Sequence, residues 1–311
     1  MRKLLITLGM IAAIFYCRGD REIPKYRYEP KSPSRIEQTQ TTQPASLEQQ
    51  LSEPTIKIAS FNIQVFGKAK REKEEVMQVL EKIVRNFDVV AIQEIKDIGG
   101  KTVPYFMERI NAAAGDKYDY VISPRVGEGA AAESYAFIYN TRTVNFRRIS
   151  AIYNDSSKKF TRTPFIAAFS SGKFDFTLVN IHTKPEYATR EVMALEEVEK
   201  YADDMVKDDK DVIVLGDFNA DGKYFSEKIT TGFRDTRYQW VIPDWADTTV
   251  KATNYTYDRI VFRKAFTSED YAGKWQVLDF KSRYGLTQKA AEKVSDHFPV
   301  WALFYTTRDT D

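Results

Sequence analysis

The chain predicts an α/β layered sandwich, on three observations. Short, apolar, β-rich runs recur from about residue 54 onward. Two long stretches carry apolar residues at helical spacing. Closely spaced, hairpin-like strands also alternate with strands separated by helices, a mixture that a single parallel sheet does not give.

The elements follow in chain order. Ile56–Asn62 is the first apolar run, and Asp88–Gln93 the second. Between them Glu72–Asn86 places Val76, Val79, Leu80, Ile83 and Val84 on one helical stripe. Val103–Ala114 reads as a shorter helix. Tyr118–Ser123, Tyr135–Asn140, Phe165–Ser170 and Phe174–His182 read as strands. A helix from Thr189 to about Lys207 carries Val192, Leu195, Val198 and Met205 on one side. Val212–Asp217, Arg259–Phe262, Trp275–Phe280 and Val300–Tyr305 complete the strands. Several of these runs are nearly continuous Val, Ile, Leu and Phe. Such strands are buried on both faces, which helices outside packed sheets explain.

The 311 residues divide by composition. Residues 1–19 have the form of an export signal, with Arg2 and Lys3 before an apolar run, Leu4 to Tyr16, too short to read as a membrane span. The run ends at Cys17, the only cysteine in the chain. Two readings stand: a lipoprotein signal whose Cys17 is lipidated and tethers the protein to a membrane, or an ordinary signal peptide in which Cys17 is discarded. Residues 20–53, rich in Pro, Gln, Thr, Ser and charge, bury too little apolar surface to offset their ordering entropy and are expected to be a disordered linker. Residues 54–311 form one domain, large enough for a single core. The expected location is therefore secreted or periplasmic.

Charge narrows the function. The net charge is +2, and the excess comes from the leader and linker, so the domain itself is nearly neutral. Bulk electrostatics do not call for a polyanion, and any such partner must be held by local patches or by metal. A domain without cysteine relies on packing rather than disulfides and cannot build a cysteine-based zinc site.

One pattern recurs: an apolar run ends in an acid or amide that a core strand would not otherwise tolerate. Ile58-Ala-Ser-Phe-Asn62, Val89-Val-Ala-Ile-Gln-Glu94 and Val212-Ile-Val-Leu-Gly-Asp217-Phe-Asn219 all show it. A buried charge that lacks its partner costs about 3–5 kcal/mol. Charges in such places usually face a cleft with a partner, and a divalent cation satisfies several oxygens at once. An all-oxygen set favours Mg²⁺, Mn²⁺ or Ca²⁺ over zinc. The chain has only two histidines, His182 at the end of an apolar run and His297 in Ser295-Asp296-His297-Phe-Pro. Imidazole transfers protons near neutral pH, so the pair suggests one general acid and one general base. Each motif alone has a plainer reading, as a turn residue, a solvated acid, a tight loop or a structural histidine.

Taken in order, Ile56-Lys-Ile-Ala-Ser-Phe-Asn62-Ile, Asp88-Val-Val-Ala-Ile-Gln-Glu94, Glu133-Ser-Tyr-Ala-Phe, Asn180-Ile-His182, Gly216-Asp217-Phe-Asn219-Ala-Asp and Ser295-Asp296-His297 resemble the endonuclease/exonuclease/phosphatase superfamily of metal-dependent phosphodiesterases. The block from Trp240 to Arg259 is more specific and resembles the deoxyribonuclease I branch. The resemblance spans about residues 55 to 306. It implies a four-layer α/β/β/α sandwich, two mixed sheets packed face to face with helices outside, and hydrolysis of DNA phosphodiesters to 5′-phosphate ends. It implies metal ligation by Glu94, with Asn62, Asp217, Asn219 and Asp296 around the phosphate and any second cation. It implies the dyads His182–Glu133 and His297–Asp258. A carboxylate on the second ring nitrogen suits a proton-shuttling imidazole, and two such dyads could flank one phosphorus. His297 is favoured as base and His182 as acid, with the reverse assignment open. Arg162 matches a position that reaches a backbone phosphate, and Asn219 would help stabilise the phosphoryl oxygens. Asp247 and Thr249 match a structural Ca²⁺ site. The expected partner is double-stranded DNA, read with low sequence specificity by a monomer.

The chain departs from that pattern at three places. Lys96 stands where relatives commonly have an arginine that reaches the minor groove, and lysine lacks the planar fork. Ala131 stands where a tyrosine often stacks on a sugar. Gly222 and Tyr255 stand where some relatives have a cysteine bridge. The first two changes bear on the grip on the duplex more than on catalysis. Two other functions compete: a phosphodiesterase of the same superfamily acting on a lipid or phosphoinositide head group, and a catalytically inactive binding protein.

Overall fold

The computed structural model describes residues 51–115 and 117–309. The expected leader with Cys17, and the linker up to residue 50, lie outside the described residues.

The elements run β1 (Thr55–Phe66), α1 (Lys68–Arg71), α2 (Glu74–Val84), β2 (Val89–Ile95), α3 (Thr102–Ala114), β3 (Tyr118–Ile122), β4 (Ser134–Asn140), β5 (Asn145–Ile152), β6 (Phe165–Ser171) and β7 (Phe174–His182). They continue with α4 (Ala188–Met205), β8 (Val212–Asp217), β9 (Tyr238–Trp240), β10 (Asp258–Arg263), α5 (Lys264–Thr267), β11 (Tyr271–Val277), α6 (Phe280–Arg283), α7 (Gln288–Val294) and β12 (Val300–Tyr305). One sheet has the order β11-β12-β1-β2-β4-β3, the other β5-β6-β7-β8-β10-β9. In each, a central parallel pair, β1 with β2 and β7 with β8, is flanked by antiparallel neighbours. This is the four-layer sandwich.

Alternation along each central strand assigns its two faces. From β1, Ile56 and Ile58 enter the core between the sheets, while Ala59, Phe61 and Ile63 face the layer of α2 and α3. From β8, Ile213 and Leu215 join the inner core, while Val212 and Val214 pack with Val192, Leu195 and Val198 of α4. Aromatic rings fill the inner core: Phe137 lies 5.5 Å from Phe165 and 5.6 Å from Phe169, and Phe174 stacks on Phe304 at 5.7 Å. Burial of one such ring contributes about 1.5–3 kcal/mol.

One polar link crosses this interior. The Asn180 amide nitrogen, on β7, donates to the carbonyls of Ile92 at 3.1 Å and Ala136 at 3.3 Å, on the opposite sheet. Its oxygen accepts from Gln93 at 2.7 Å. Each of these groups would be costly to bury unpaired, so the link fixes the register of one sheet over the other.

The structure adds elements that the sequence pattern did not predict. β5 is an edge strand with no fully buried residue: Phe146 and Ile152 pack partly buried against the inner core, and a register shift between Phe146 and Ser150 breaks its alternation. The expected strand Trp275–Phe280 is displaced toward the N-terminus: β11 ends at Val277, and Phe280 opens α6, capped by Asp279, whose carboxylate accepts from Ser282 N at 2.9 Å. α7 is a short helix capped by the Thr287 hydroxyl.

Candidate active site

The polar residues that end apolar runs collect at one edge of the sandwich. Asn62 lies in β1 and Glu94 in β2, where the regular register that ends with Asn62 opposite Gln93 is interrupted before Phe66 pairs with Ile95. His182 and Asp217 end β7 and β8 and face each other in parallel register. Asp258 opens β10 opposite the same Asp217. Glu133 precedes β4, and His297 lies just before β12, bridged to Thr249.

Two dyads result, and each joins the two sheets. His182 Nδ1 lies 3.0 Å from Glu133 Oε1, and His297 Nδ1 lies 2.8 Å from Asp258 Oδ2. The other ring nitrogens converge: His182 Nε2 is 3.4 Å and His297 Nε2 3.5 Å from Asp217 Oδ2. That oxygen also accepts from the Asn62 amide at 3.0 Å, and the same amide reaches Glu94 Oε1 at 3.2 Å. Asn219 is drawn in through its backbone, which donates to Asp217 Oδ1 at 3.0 Å, while its side chain donates to Thr183 O at 3.1 Å. Asp296 lies at the rim, 3.9 Å from His297 Nε2 and 3.7 Å from Lys251 Nζ.

The backbone is bent to achieve this. Gln64, Val65, Glu94 and Asn219 all have positive φ, between 43° and 61°, and for Val65 that region is sterically unfavourable. Backbone strain of this kind costs about 1–3 kcal/mol per residue and persists where surrounding contacts over-determine it. Here the Glu94 carboxylate accepts from Val65 N at 2.8 Å and the Asn62 side chain from Gln64 N at 2.8 Å. Gly216 meets a different demand: a Cβ there would stand 1.8 Å from the Ile181 carbonyl, so only glycine lets β8 lie this close to β7 beside the strand ends that carry His182 and Asp217.

Electrostatics follow from the crowding of acids. Burial works against the His182 imidazolium, but Glu133, with help from Asp217, outweighs it and raises its pKa above 6.5. His297 behaves likewise and rises further, because Asp258 and Asp217 both face it. Burial favours the neutral Asp217 carboxyl, yet the two imidazoles, the Asn219 N–H and the Asn62 amide hold it below the ordinary carboxylate value. The Asp258 carboxyl is pushed up by burial, against the opposing pull of His297.

The donor set fits a hard cation. Glu94, Glu133, Asp217, Asp258 and Asp296 bring more carboxylates than the nearby imidazoles neutralise, and no sulfur stands among them. Asp217, Asp258 and His297 place ligand atoms within 4.8 Å of one another, a buried group able to hold a metal. His297 Nδ1 is committed to Asp258, and the two Glu94 oxygens accept from the Asn62 amide and from Val65 N, whereas Asp258 Oδ1 and Glu133 Oε2 are buried without a hydrogen-bond partner.

Arg162 is placed differently from the expected phosphate contact. It is 5% exposed, its Nε and Nη2 donate to the carbonyls of His182 and Thr183 at 2.8 and 2.7 Å, and Nε lies 3.7 Å from Glu133. It braces the His182 dyad from behind. Lys96 lies half-exposed, donating to Ala130 O at 3.1 Å with Glu133 at 3.9 Å. Asp247 and Thr249 close a turn on each other, the carboxylate accepting from Thr249 N at 3.0 Å and Oγ1 at 2.8 Å. That turn holds Thr249 against His297.

Three supporting residues were given no role by the sequence pattern, although Tyr135 and Ser295 lie inside two of its motifs. The Tyr135 hydroxyl accepts from His182 N at 3.0 Å. The Ser295 hydroxyl links Asn62 O and His297 N. Lys70 is buried, its ammonium donating to Ile63 O at 2.6 Å and Val294 O at 2.8 Å behind the site. Only tertiary neighbours reveal them, although Tyr135 lies within two residues of a dyad acid.

This fold and this edge are those of the Endonuclease/Exonuclease/phosphatase family, whose family model matches residues 59–297; the chain belongs to it. The family depends on divalent metal, and the chain is an enzyme, a hydrolase of the nuclease kind. It is 38% identical to human Deoxyribonuclease gamma over 262 residues, covering 79% of this chain and 84% of that one. It is 33% identical to bovine Deoxyribonuclease-1 over 258 residues, covering 79% and 91%. Among solved structures, a humanized D. rerio TDP2 shares the fold at 16% identity and a TM-score of 0.54, covering 81% of this chain and 99% of that chain. The human Nocturnin catalytic domain does so at 16% and 0.52, covering 81% and 94%.

Proposed function

We propose that the protein is an exported, metal-dependent endodeoxyribonuclease that hydrolyses DNA phosphodiesters to 5′-phosphate ends with low sequence specificity. The observation that carries the reading is the convergence of both Nε2 atoms on one oxygen, each ring held from behind by its own carboxylate. A phosphate seated there has a proton acceptor on one side and a proton donor on the other.

In this reading His297 takes the proton of the attacking water at Nε2, while Asp258 fixes its tautomer and stabilises the imidazolium that forms. His182, held by Glu133 at Nδ1, gives its Nε2 proton to the departing 3′-oxygen. Asn62 and Asn219 offer amide groups at the phosphoryl oxygens. Glu94, with Asn62, Asp217, Asn219 and Asp296 around it, would hold a divalent cation, Mg²⁺ or Mn²⁺, which would supply positive charge to those oxygens and offset the Asp217 charge facing both rings. Ca²⁺ bound at Asp247 and Thr249 would stiffen the turn that braces His297. Lys96 offers a point charge to the strand beside Glu133. The leader supports export, with lipidation of Cys17 as the membrane-tethered variant.

The test is cleavage of supercoiled plasmid with Mg²⁺, Mn²⁺, Ca²⁺ or EDTA, with end-group analysis. Divalent-dependent nicking to 5′-phosphates is expected, with more than tenfold loss in both His182→Ala and His297→Ala, equivalent to about 1.4 kcal/mol of barrier or more. Turnover of sphingomyelin or phosphoinositide without nicking would transfer the same site to lipid head groups and overturn the reading. No turnover of either substrate would leave a binding protein.

A further inference from the structure

Beside His297 runs a short series of aromatic rings. The Tyr257 ring lies 6.2 Å from the His297 ring. Tyr255 stacks on Tyr257 with centroids 5.0 Å apart and planes within 10° of parallel, and Tyr224 stands 6.3 Å from Tyr257 at 49°. All three rings are partly exposed. Lys223 lies over Tyr224 at 5.1 Å, and Lys251 stands at the Asp296 rim.

The backbone beneath these rings is pinned from two sides. Thr248 N donates to Tyr255 O at 2.9 Å, and Tyr257 N donates to the Thr248 hydroxyl at 3.1 Å. Thr256 N donates to the Asp221 carboxylate at 2.8 Å. Tyr255 also covers Gly222, where a Cβ would come within 2.8 Å of its ring and where φ is +61°. Aromatic surface thus occupies the place in which some relatives have a covalent bridge, and it faces the reacting edge.

Resting on the nuclease reading, we propose that Tyr255, Tyr257 and Tyr224 form a stacking platform for an unpaired base next to the scissile phosphate on the His297 side. Bases inside a duplex already spend their faces on each other. A base that lies against these rings must be unstacked, as in a single strand, a flap or a frayed end. The lysines at both ends of the series suit the backbone on either side of that base. Stacking of this type is tolerant of sequence, because every base has a π-face. The enzyme therefore gains preference for unpaired strands, offsetting the weaker duplex grip left by Lys96 and Ala131.

The experiment compares kcat/KM on a single-stranded oligonucleotide and on the same sequence as a duplex, for wild type, Tyr255→Leu and Tyr255→Phe, with Mg²⁺ present. Tyr255→Leu should lower the single-strand to duplex ratio roughly tenfold, acting through KM, and Tyr255→Phe should restore it. A ratio unchanged in Tyr255→Leu overturns the platform, as does an equal loss on both substrates. A second arm needs no variant: an abasic residue beside the preferred cleavage bond should lower wild-type cleavage of the single strand there roughly tenfold. Cleavage at the intact rate would also overturn it. Either failure leaves plasmid nicking intact, whereas absence of nicking by wild type defeats the nuclease reading itself.

Discussion

The Ser295 hydroxyl donates to the Asn62 carbonyl across 2.6 Å, joining the end of β1 to the loop that carries His297. The same oxygen accepts from His297 N at 3.1 Å. Ser295→Ala strands both backbone groups in a buried place. We expect a loss of about 1–3 kcal/mol in urea unfolding. We also expect a lower kcat with KM little changed, because His297 moves while the strand contacts stay. A variant of unchanged stability would show that the link carries no energy.

The two histidines make proton-binding directly measurable. In the metal-free protein each imidazole should titrate above 6.5 by NMR, His297 the higher, since two carboxylates face it. Stability from a raised imidazole is full below pH 6.5 and is lost as pH rises through the folded-state pKa. Stability of the metal-free protein should therefore decline through and above neutrality. Asp258→Asn should move the His297 titration down and cut nicking by about a hundredfold or more. A His297 titration that stays in place would refute the dyad.

Lys70 has the opposite sign. Burial lowers its pKa to about 8 from 10.5, against the upward pull of Asp296 and Glu94. Between those values the unfolded chain binds the proton and the folded chain does not, so stability rises with pH across that window. The rise amounts to roughly 3 kcal/mol at most. The difference in unfolding free energy between wild type and Lys70→Met, followed from pH 7 to 10.5, should contain that rise. A flat difference would place the ammonium in water.

Arg162 separates bracing from substrate contact. Its removal in Arg162→Met leaves the Glu133 charge and two carbonyls short of a donor, so a cost of about 3 kcal/mol in stability is expected. The salt dependence of DNA binding should stay the same. A slope smaller by about 1 would mean that the guanidinium does meet a phosphate.

Legibility in the sequence followed burial. Val212–Asp217 and Val300–Tyr305 could be read to the residue because strands buried on both faces leave nearly continuous apolar runs, and Phe174–His182 because Phe174, Phe176 and Leu178 alternate along it. β5 was hidden because Arg147, Arg148 and its edge position break the alternation. α7 was hidden because seven residues with only Ala291 and Val294 buried give no stripe. Within the site, acids and amides that end apolar runs stood out as exceptions to the core pattern. Lys70 and Ser295 did not, since one partner of each comes from more than 200 residues away in sequence.

Each dyad draws its imidazole from one sheet and its acid from the other, and the Asn180 amide fixes how those sheets overlie. A slip between the layers would pull both imidazoles from their carboxylates in a single movement, which on the proposed mechanism removes both proton carriers at once. Catalytic competence is then a property of the sandwich as a whole. Conditions that loosen the contact between layers should silence both halves of the chemistry together, before the strands themselves come apart.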